Sequence, residues 1–279
     1  MYFSGIADEA GEPIDVQIKA HKELGWDHIE IRNIERVSLT DLCEESFQEV
    51  AGKLTAAGLQ VSCFASQLCN WSRPITKHPD IDRHELERAI PRMKQLGCRL
   101  IRTMSYPNGG WPEERWRDEA VARLKVLARM AEKAGVTLVH ENCDGWGAQG
   151  PEQMLELLRR VDSPALKVLW DTGNSVPHGL DPWGFYEAVR EHVAYVHIKD
   201  GRMEGADCVC TFPGEGEGKL REVISDLLAR GYDEGLSIEP HMAAVVHEGK
   251  SAGEAAYGIY VEHGRRLMKL VKEIGPQAP

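Results

Sequence analysis

Four polar residues stand at the ends of four successive apolar runs: Glu141 in TLVHEN, Asp171 in LKVLWDTGN, His197 in AYVHIKD and Glu239 in LSIEPH. A carboxylate placed directly after buried residues is costly unless it is paired, hydrogen-bonded or bound to a metal. Three carboxylates converging on one point repel one another, and a divalent cation removes that repulsion. Carboxylates joined by one imidazole suit Mn²⁺ first, with Mg²⁺, Co²⁺ and Zn²⁺ as alternatives. Taken singly, each residue has a plainer explanation, as an acidic N-cap or a core histidine. Four consecutive strand ends that each carry a suitable ligand are harder to explain as four separate accidents. The expectation is one divalent-cation site built from Glu141, Asp171, His197 and Glu239.

Other side chains fall where they could reach a ligand beside such an ion. Lys199 lies two residues after His197 and therefore on the same side of its strand. It could contact a substrate oxygen, or pair with Asp200 or a neighbouring carboxylate. Arg32 and Arg102 each close a strand, and a guanidinium holds a hydroxyl, carboxylate or phosphate well. The alternative for both is a rim ion pair with Glu9 or Glu30, and one of the two arginines is expected to reach substrate. Asn174 and His178 follow Asp171 in its loop, and His241 lies across Pro240 from Glu239; all three are candidate substrate contacts. His140 alternates away from Glu141 and reads as structural. Trp71, Trp111, Trp146 and Trp183 fall in loops on the same side, where some could face a sugar ring and others only pack. Cys208 and Cys210 form the only close cysteine pair and read as free thiols in a loop.

The elements that must position these groups alternate along the whole chain. Short β-rich apolar runs occupy 3–7, 28–32, 59–65, 100–104, 136–141, 166–170, 194–198 and 236–239. Helical periodicity and punctuation lie between them. Pro13 opens a helix that stops at Gly25, and Thr40-Asp41 starts another that ends near Gly58. Trp111-Pro112-Glu113-Glu114 starts a third, closed by Gly135. Further starts stand at Gly150-Pro151, Asp181-Pro182 and Gly218, and a last helix runs over 252–274. Eight β then α units in 279 residues predict a (β/α)₈ TIM barrel, a single domain over 1–279, in preference to an open doubly wound sheet. The segment 69–80 is the longest polar loop and leaves the third strand on the side where barrels carry their sites.

Lys and Arg number 33 against 44 Asp and Glu, a formal charge of −11, so a nucleic-acid backbone would meet a repulsive surface. The same balance suggests a substrate of little or no negative charge, which a single buried Arg could overrule. The start MYFSGIADEAGEP has no signal-peptide pattern, and no apolar run approaches the roughly 20 residues that span a membrane. Seven irregularly spaced cysteines fit a reducing cytoplasm better than a disulfide framework.

The ordered motifs HEN, DTGN, VHIKD, GEGEG and SIEPH resemble the sugar phosphate isomerase/epimerase family with a xylose-isomerase-like TIM barrel. GIADE, LGWDHIEIRNI and IRTMSY are similar to the same family's first, second and fourth strands. The resemblance covers nearly the whole chain and implies one metal on Glu141, Asp171, His197 and Glu239. It also implies that Glu141 and Glu239 lie on opposite faces of a bound sugar and move protons, and it allows a homodimer. It casts Gly214–Gly218, which has no Lys at P-loop spacing, as a flexible loop after strand seven. The implied partner is a small sugar or keto-sugar, and the implied reaction is isomerisation or epimerisation through an enediolate. Free-ketose epimerases of the family typically carry a His near Asn174 and a Glu soon after the fifth-strand ligand. This chain reads DTGN and ENCDGWGAQG there. That departure raises the alternative of a lyase, dehydrating a keto-inositol or eliminating from a 3-keto-glycoside. An abasic-DNA endonuclease on a related barrel would need more metals and more histidines than the first four strands offer. A sugar binder without activity would have little use for two proton-transfer carboxylates.

Overall fold

Alternation of inward and outward residues along eight strands builds the molecule. A computed structural model describes residues 1–242 and 255–275. The strands are β1 (Tyr2–Gly5), β2 (His28–Ile31), β3 (Gln60–Leu68), β4 (Leu100–Ser105), β5 (Thr137–Gly145), β6 (Leu166–Asp171), β7 (Val193–Ile198) and β8 (Gly235–Ile238). They form one parallel sheet in which neighbours follow chain order from β2 to β8, and β8 pairs with β1. A parallel bridge between Ile6 and Glu30 joins β1 to β2 and completes the ring. Outside lie α1 (Ile14–Leu24), α2 (Glu44–Ala57), α3 (Asp80–Gln95), α4 (Glu113–Ala134), α5 (Pro151–Val161), α6 (Pro182–Val189), α7 (Leu220–Ala229) and α8 (Ala256–Ile274). The architecture is the TIM barrel that the repeat of strands and helices predicts.

The strands are buried on both faces, as parallel strands covered by helices must be. Val139, Leu169 and Tyr195 point inward and pack with Cys63 in the barrel interior. Trp170, Val196, Ile198, Leu236 and Ile238 point outward into the layer beneath the helices. A period of two then brings Glu141, Asp171 and His197, each two residues further on, back to the inside at the C-terminal mouth. At Gly135 (φ 73°) the left-handed turn lets the amide bond back to the carbonyls of Ala131 and Glu132, ending α4 where the sequence placed its stop.

Some elements were not legible. α3 is the helix that punctuation leaves unnamed, and Pro91 lies inside it. Two short ribbons interrupt the repeat: Asn33–Ile34 with Val37–Ser38, and Asp200–Glu204 with Asp207–Thr211. Cys208 and Cys210 therefore sit on a strand rather than in a loop. β3 and β5 run past their expected ends, to Leu68 and Gly145. Residues 252–254 of the expected last helix lie outside the described residues. Among the described residues, no helix is long and apolar enough to cross a membrane.

Candidate metal centre

Four adjacent strands deliver the four candidate ligands. Asp171 and His197 are register partners across β6 and β7, and His197 is opposite Ser237 of β8. Glu141 lies within β5 and Glu239 directly follows β8. One donor atom from each of Glu141, Asp171, His197 and Glu239 lies within 4.8 Å of the others, and all four residues are buried.

His197 is oriented from below. Its Nε2 is 3.1 Å from both oxygens of Glu30, and Ser237 Oγ donates to Glu30 Oε2 at 2.5 Å. A carboxylate on one ring nitrogen directs the other toward a metal and sharpens its basicity. That other nitrogen, Nδ1, faces Glu141 Oε1 at 3.7 Å, Asp171 Oδ2 at 3.9 Å and Glu239 Oε2 at 3.7 Å. It is buried and has no hydrogen-bond partner.

The carboxylates are held just as firmly. Asp171 Oδ1 accepts the amides of Gly173 and Asn174, each at 2.8 Å, which turns Oδ2 to the centre. Asn142 clamps the Asp171 backbone from β5, accepting its N–H at 2.7 Å and donating to its carbonyl at 2.9 Å. Glu141 accepts from Asn174 Nδ2 at 3.1 Å and stands 3.4 Å from Arg102 Nη1. Glu239 meets Lys199 Nζ at 3.0 Å, His241 Nε2 at 3.3 Å, Arg32 Nη1 at 3.5 Å and Arg102 Nη1 at 4.0 Å. Lys199 also lies 3.2 Å from Asp171 Oδ2.

These contacts set the charge states. Burial pushes the Glu141 carboxyl up, but Arg102 and His197 outweigh it and hold the group at about 2. Glu239 is buried too, yet Lys199 and His241 keep it well below the usual carboxylate range. Burial, reinforced by Glu239 and Glu141, raises Asp171 to about 7 despite Lys199. Burial opposes a charge on His197, but Glu30 and Glu141 raise it well above the ordinary imidazole range. A cluster this rich in carboxylate oxygens, with one imidazole nitrogen turned inward and unbonded, fits a divalent cation.

The cavity above this cluster has a volume of about 410 Å³, and every proposed substrate contact reaches its wall. Arg32, Arg102, Lys199 and His241 are there with their carboxylate partners, Asn174 with Glu141, and His178 on an exposed turn. Lys199 pairs with ligand carboxylates rather than with Asp200. Arg32 does pair with Glu9, at 3.3 Å, and also with Asp8, while Glu30 serves His197 instead of an arginine. Of the four tryptophans singled out, Trp71 lines the cavity. Trp146 is buried, Trp183 packs on Tyr186, and Trp111 lies beneath Arg115. His140 is buried beside Gly147, away from the cavity wall.

The glycine-rich segment is pinned rather than loose. The amides of Gly214, Gly216 and Gly218 donate to the Asp200 carboxylate at 2.9, 3.0 and 3.0 Å. A Cβ at Gly216 would sit 2.4 Å from Asp200 Oδ1 and 2.5 Å from the Gly201 carbonyl, so the close approach requires glycine. The anion in this cradle is the protein's own. Glu9, Glu239 and His241 form a second trio with donor atoms within 4.8 Å, but Arg32 already lies against both of its carboxylates.

The family model of the xylose isomerase-like TIM barrel matches residues 18–259. A 2-epi-5-epi-valiolone 7-phosphate 2-epimerase of Actinoplanes sp. is 28% identical over 182 residues, covering 63% of this chain and 64% of that protein. An inosose dehydratase of Clostridium tetani is 27% identical over 142 residues, 46% of this chain and 47% of that protein. The chain thus matches between about half and two thirds of the length of these curated relatives. The crystal structure of the probable 3-DHS dehydratase AsbF of Bacillus anthracis has the same fold, with a TM-score of 0.75 over 96% of this chain and 99% of that one at 17% identity. With its barrel, its strand-end cluster and a family model that spans most of its length, the chain belongs to the xylose isomerase-like TIM barrel family.

Proposed function

We propose that the chain is an enzyme that holds one divalent cation, Mn²⁺ first, on Glu141, Asp171, His197 and Glu239. Its reaction is proton abstraction beside the carbonyl of a sugar or keto-sugar derivative. The observation that carries this reading is His197 Nδ1, buried, without a hydrogen-bond partner, and turned to three carboxylates. When bound, the cation supplies positive charge beside the carbonyl oxygen and acidifies the neighbouring C–H. The chain's own groups do the rest. Glu141 takes the proton, and Lys199 donates to a substrate oxygen. Seven free thiols support a reducing, cytoplasmic setting.

The two glutamates are unequal, and that bears on the outcome. Glu239 is surrounded by Lys199, His241, Arg32 and Arg102, whereas Glu141 meets Arg102 and Asn174. Glu141 therefore keeps more basicity. Epimerisation between two faces uses two bases, while loss of a β-leaving group uses one base and a donor to the departing oxygen. The inequality supports elimination, by a dehydratase or lyase, ahead of the two-base epimerisation that the sequence put among its first readings. The relatives include both kinds of enzyme.

Incubation of the Mn²⁺-loaded protein with a keto-inositol, a 3-keto-glycoside and free ketoses in D₂O tests this. The expected product is an enone absorbing in the near ultraviolet, formed only with metal. An isomeric product carrying deuterium at carbon, without an enone, would return the assignment to isomerase or epimerase. No deuterium exchange and no product from any of them would reject the enzyme reading.

A further inference from the structure

Substrate anions are recognised by cations with donors to spare or by cradles of backbone amides. Arg32, Arg102 and Lys199 are the lysine and arginine side chains on the cavity wall among the described residues. Every nitrogen of the Arg32 guanidinium is committed. Nε lies 3.1 Å from each Asp8 oxygen, Nη2 meets Asp8 at 2.9 Å and Glu9 at 3.3 Å, and Nη1 meets Glu239 at 3.5 Å. Arg102 turns Nη1 to Glu141, donates Nη2 to the Ser66 carbonyl at 3.3 Å, and keeps its Nε buried without a hydrogen-bond partner. Lys199 Nζ lies between Asp171 and Glu239. Three cations thus touch five carboxylates, Asp8, Glu9, Glu141, Asp171 and Glu239, and none of the three is in surplus. The amide cradle nearest the cavity, in the glycine loop, is filled by Asp200. What remains of the wall includes uncharged side chains such as Trp71, Met104 and Cys143.

We infer that the substrate is an uncharged keto-polyol rather than a sugar phosphate or a keto acid. This rests on the enolisation reading above and adds the charge of the molecule enolised. An anionic group in this cavity has to take an arginine or the lysine away from a buried carboxylate, which is then left unpaired. A hydroxyl or carbonyl brings no charge to be balanced and leaves those ion pairs in place. The formal net charge of −11 points the same way, and the two buried arginines that could have overruled it both lie against carboxylates of the fold.

The test is a binding comparison on the full-length protein loaded with Mn²⁺. D-fructose is set against D-fructose 6-phosphate, and a keto-inositol against 3-dehydroshikimate, by saturation-transfer NMR with deuterium exchange followed in the same samples. At least one neutral ketone is expected to bind, and to do so at least about ten-fold more tightly than its anionic counterpart, the effect of one unpaired buried charge. Equal or tighter binding of either anionic member overturns the inference, and so does failure of both neutral ketones to bind. If a neutral ketone binds preferentially but takes up no deuterium, the enolisation reading falls and the charge class stands. If an anionic member binds more tightly and exchanges deuterium, the charge class alone falls.

Discussion

Glu30 contributes no atom to the candidate ligand set, yet its two oxygens both lie 3.1 Å from His197 Nε2. Removing its charge should free the ring and weaken the donor on the opposite nitrogen. Glu30→Gln is expected to lower Mn²⁺ affinity by about 10–100-fold by isothermal titration, with an unchanged circular dichroism spectrum. An affinity equal to that of the unaltered protein would contradict the orienting role. Asn174→Ala, which removes a bond to Glu141 while leaving all four ligands, should reduce turnover more than metal affinity. The four ligands were legible because polar residues after apolar strand runs are conspicuous. Glu30 was not, because it sits inside HIEIR as one of several alternating charges and its partner lies 167 residues further on. The pairing of Arg32 with Asp8 was hidden because it depends on β1 and β2 lying side by side where the ring closes.

The ribbon over 200–211 lines one side of the cavity through Asp200, Gly201, Cys208 and Cys210, and Asp200 ties the glycine loop to it. Its side chain takes three glycine amides of the loop and the Gly201 amide next to it. Burial raises this carboxyl above its usual range even so. Asp200→Asn loses charge and acceptor capacity, and is expected to destabilise the fold by roughly 1–3 kcal/mol in urea titrations. Faster proteolytic cleavage within 212–218 should accompany it. A stability and cleavage pattern like those of the parent would show that the loop does not depend on this anchor. The sequence made GEGEG legible as a loop after β7. What it encloses was not, because an amide cradle looks the same whether its anion is a phosphate or a carboxylate in the same chain. Likewise α3 lacked a clean signal because Pro91 sits in its interior.

Across the whole molecule, the barrel was readable from repetition: eight apolar runs, the helical stretches between them, and glycines at helix ends. The layering of the interior followed from the period of two, and with it the height of the site. Stability should depend on pH through histidines buried outside the site. Burial lowers His21 from 6.5 to about 4 and His263 to about 3. Both are neutral when folded and take up protons on unfolding, so stability falls as pH drops from about 6.5 toward 4. His263→Leu is expected to lessen the loss between pH 7 and pH 5 by about 2 kcal/mol in thermal melts, and a parallel slope would contradict that. Metal should act in the other direction, raising the melting temperature with Mn²⁺ concentration. The most direct test of the account is the position of the ion itself, by anomalous X-ray diffraction from crystals grown with Mn²⁺. The account predicts one strong peak bonded to His197 Nδ1 and to Glu141, Asp171 and Glu239. No peak at that point, or one bonded instead to Glu9 and His241, would contradict it.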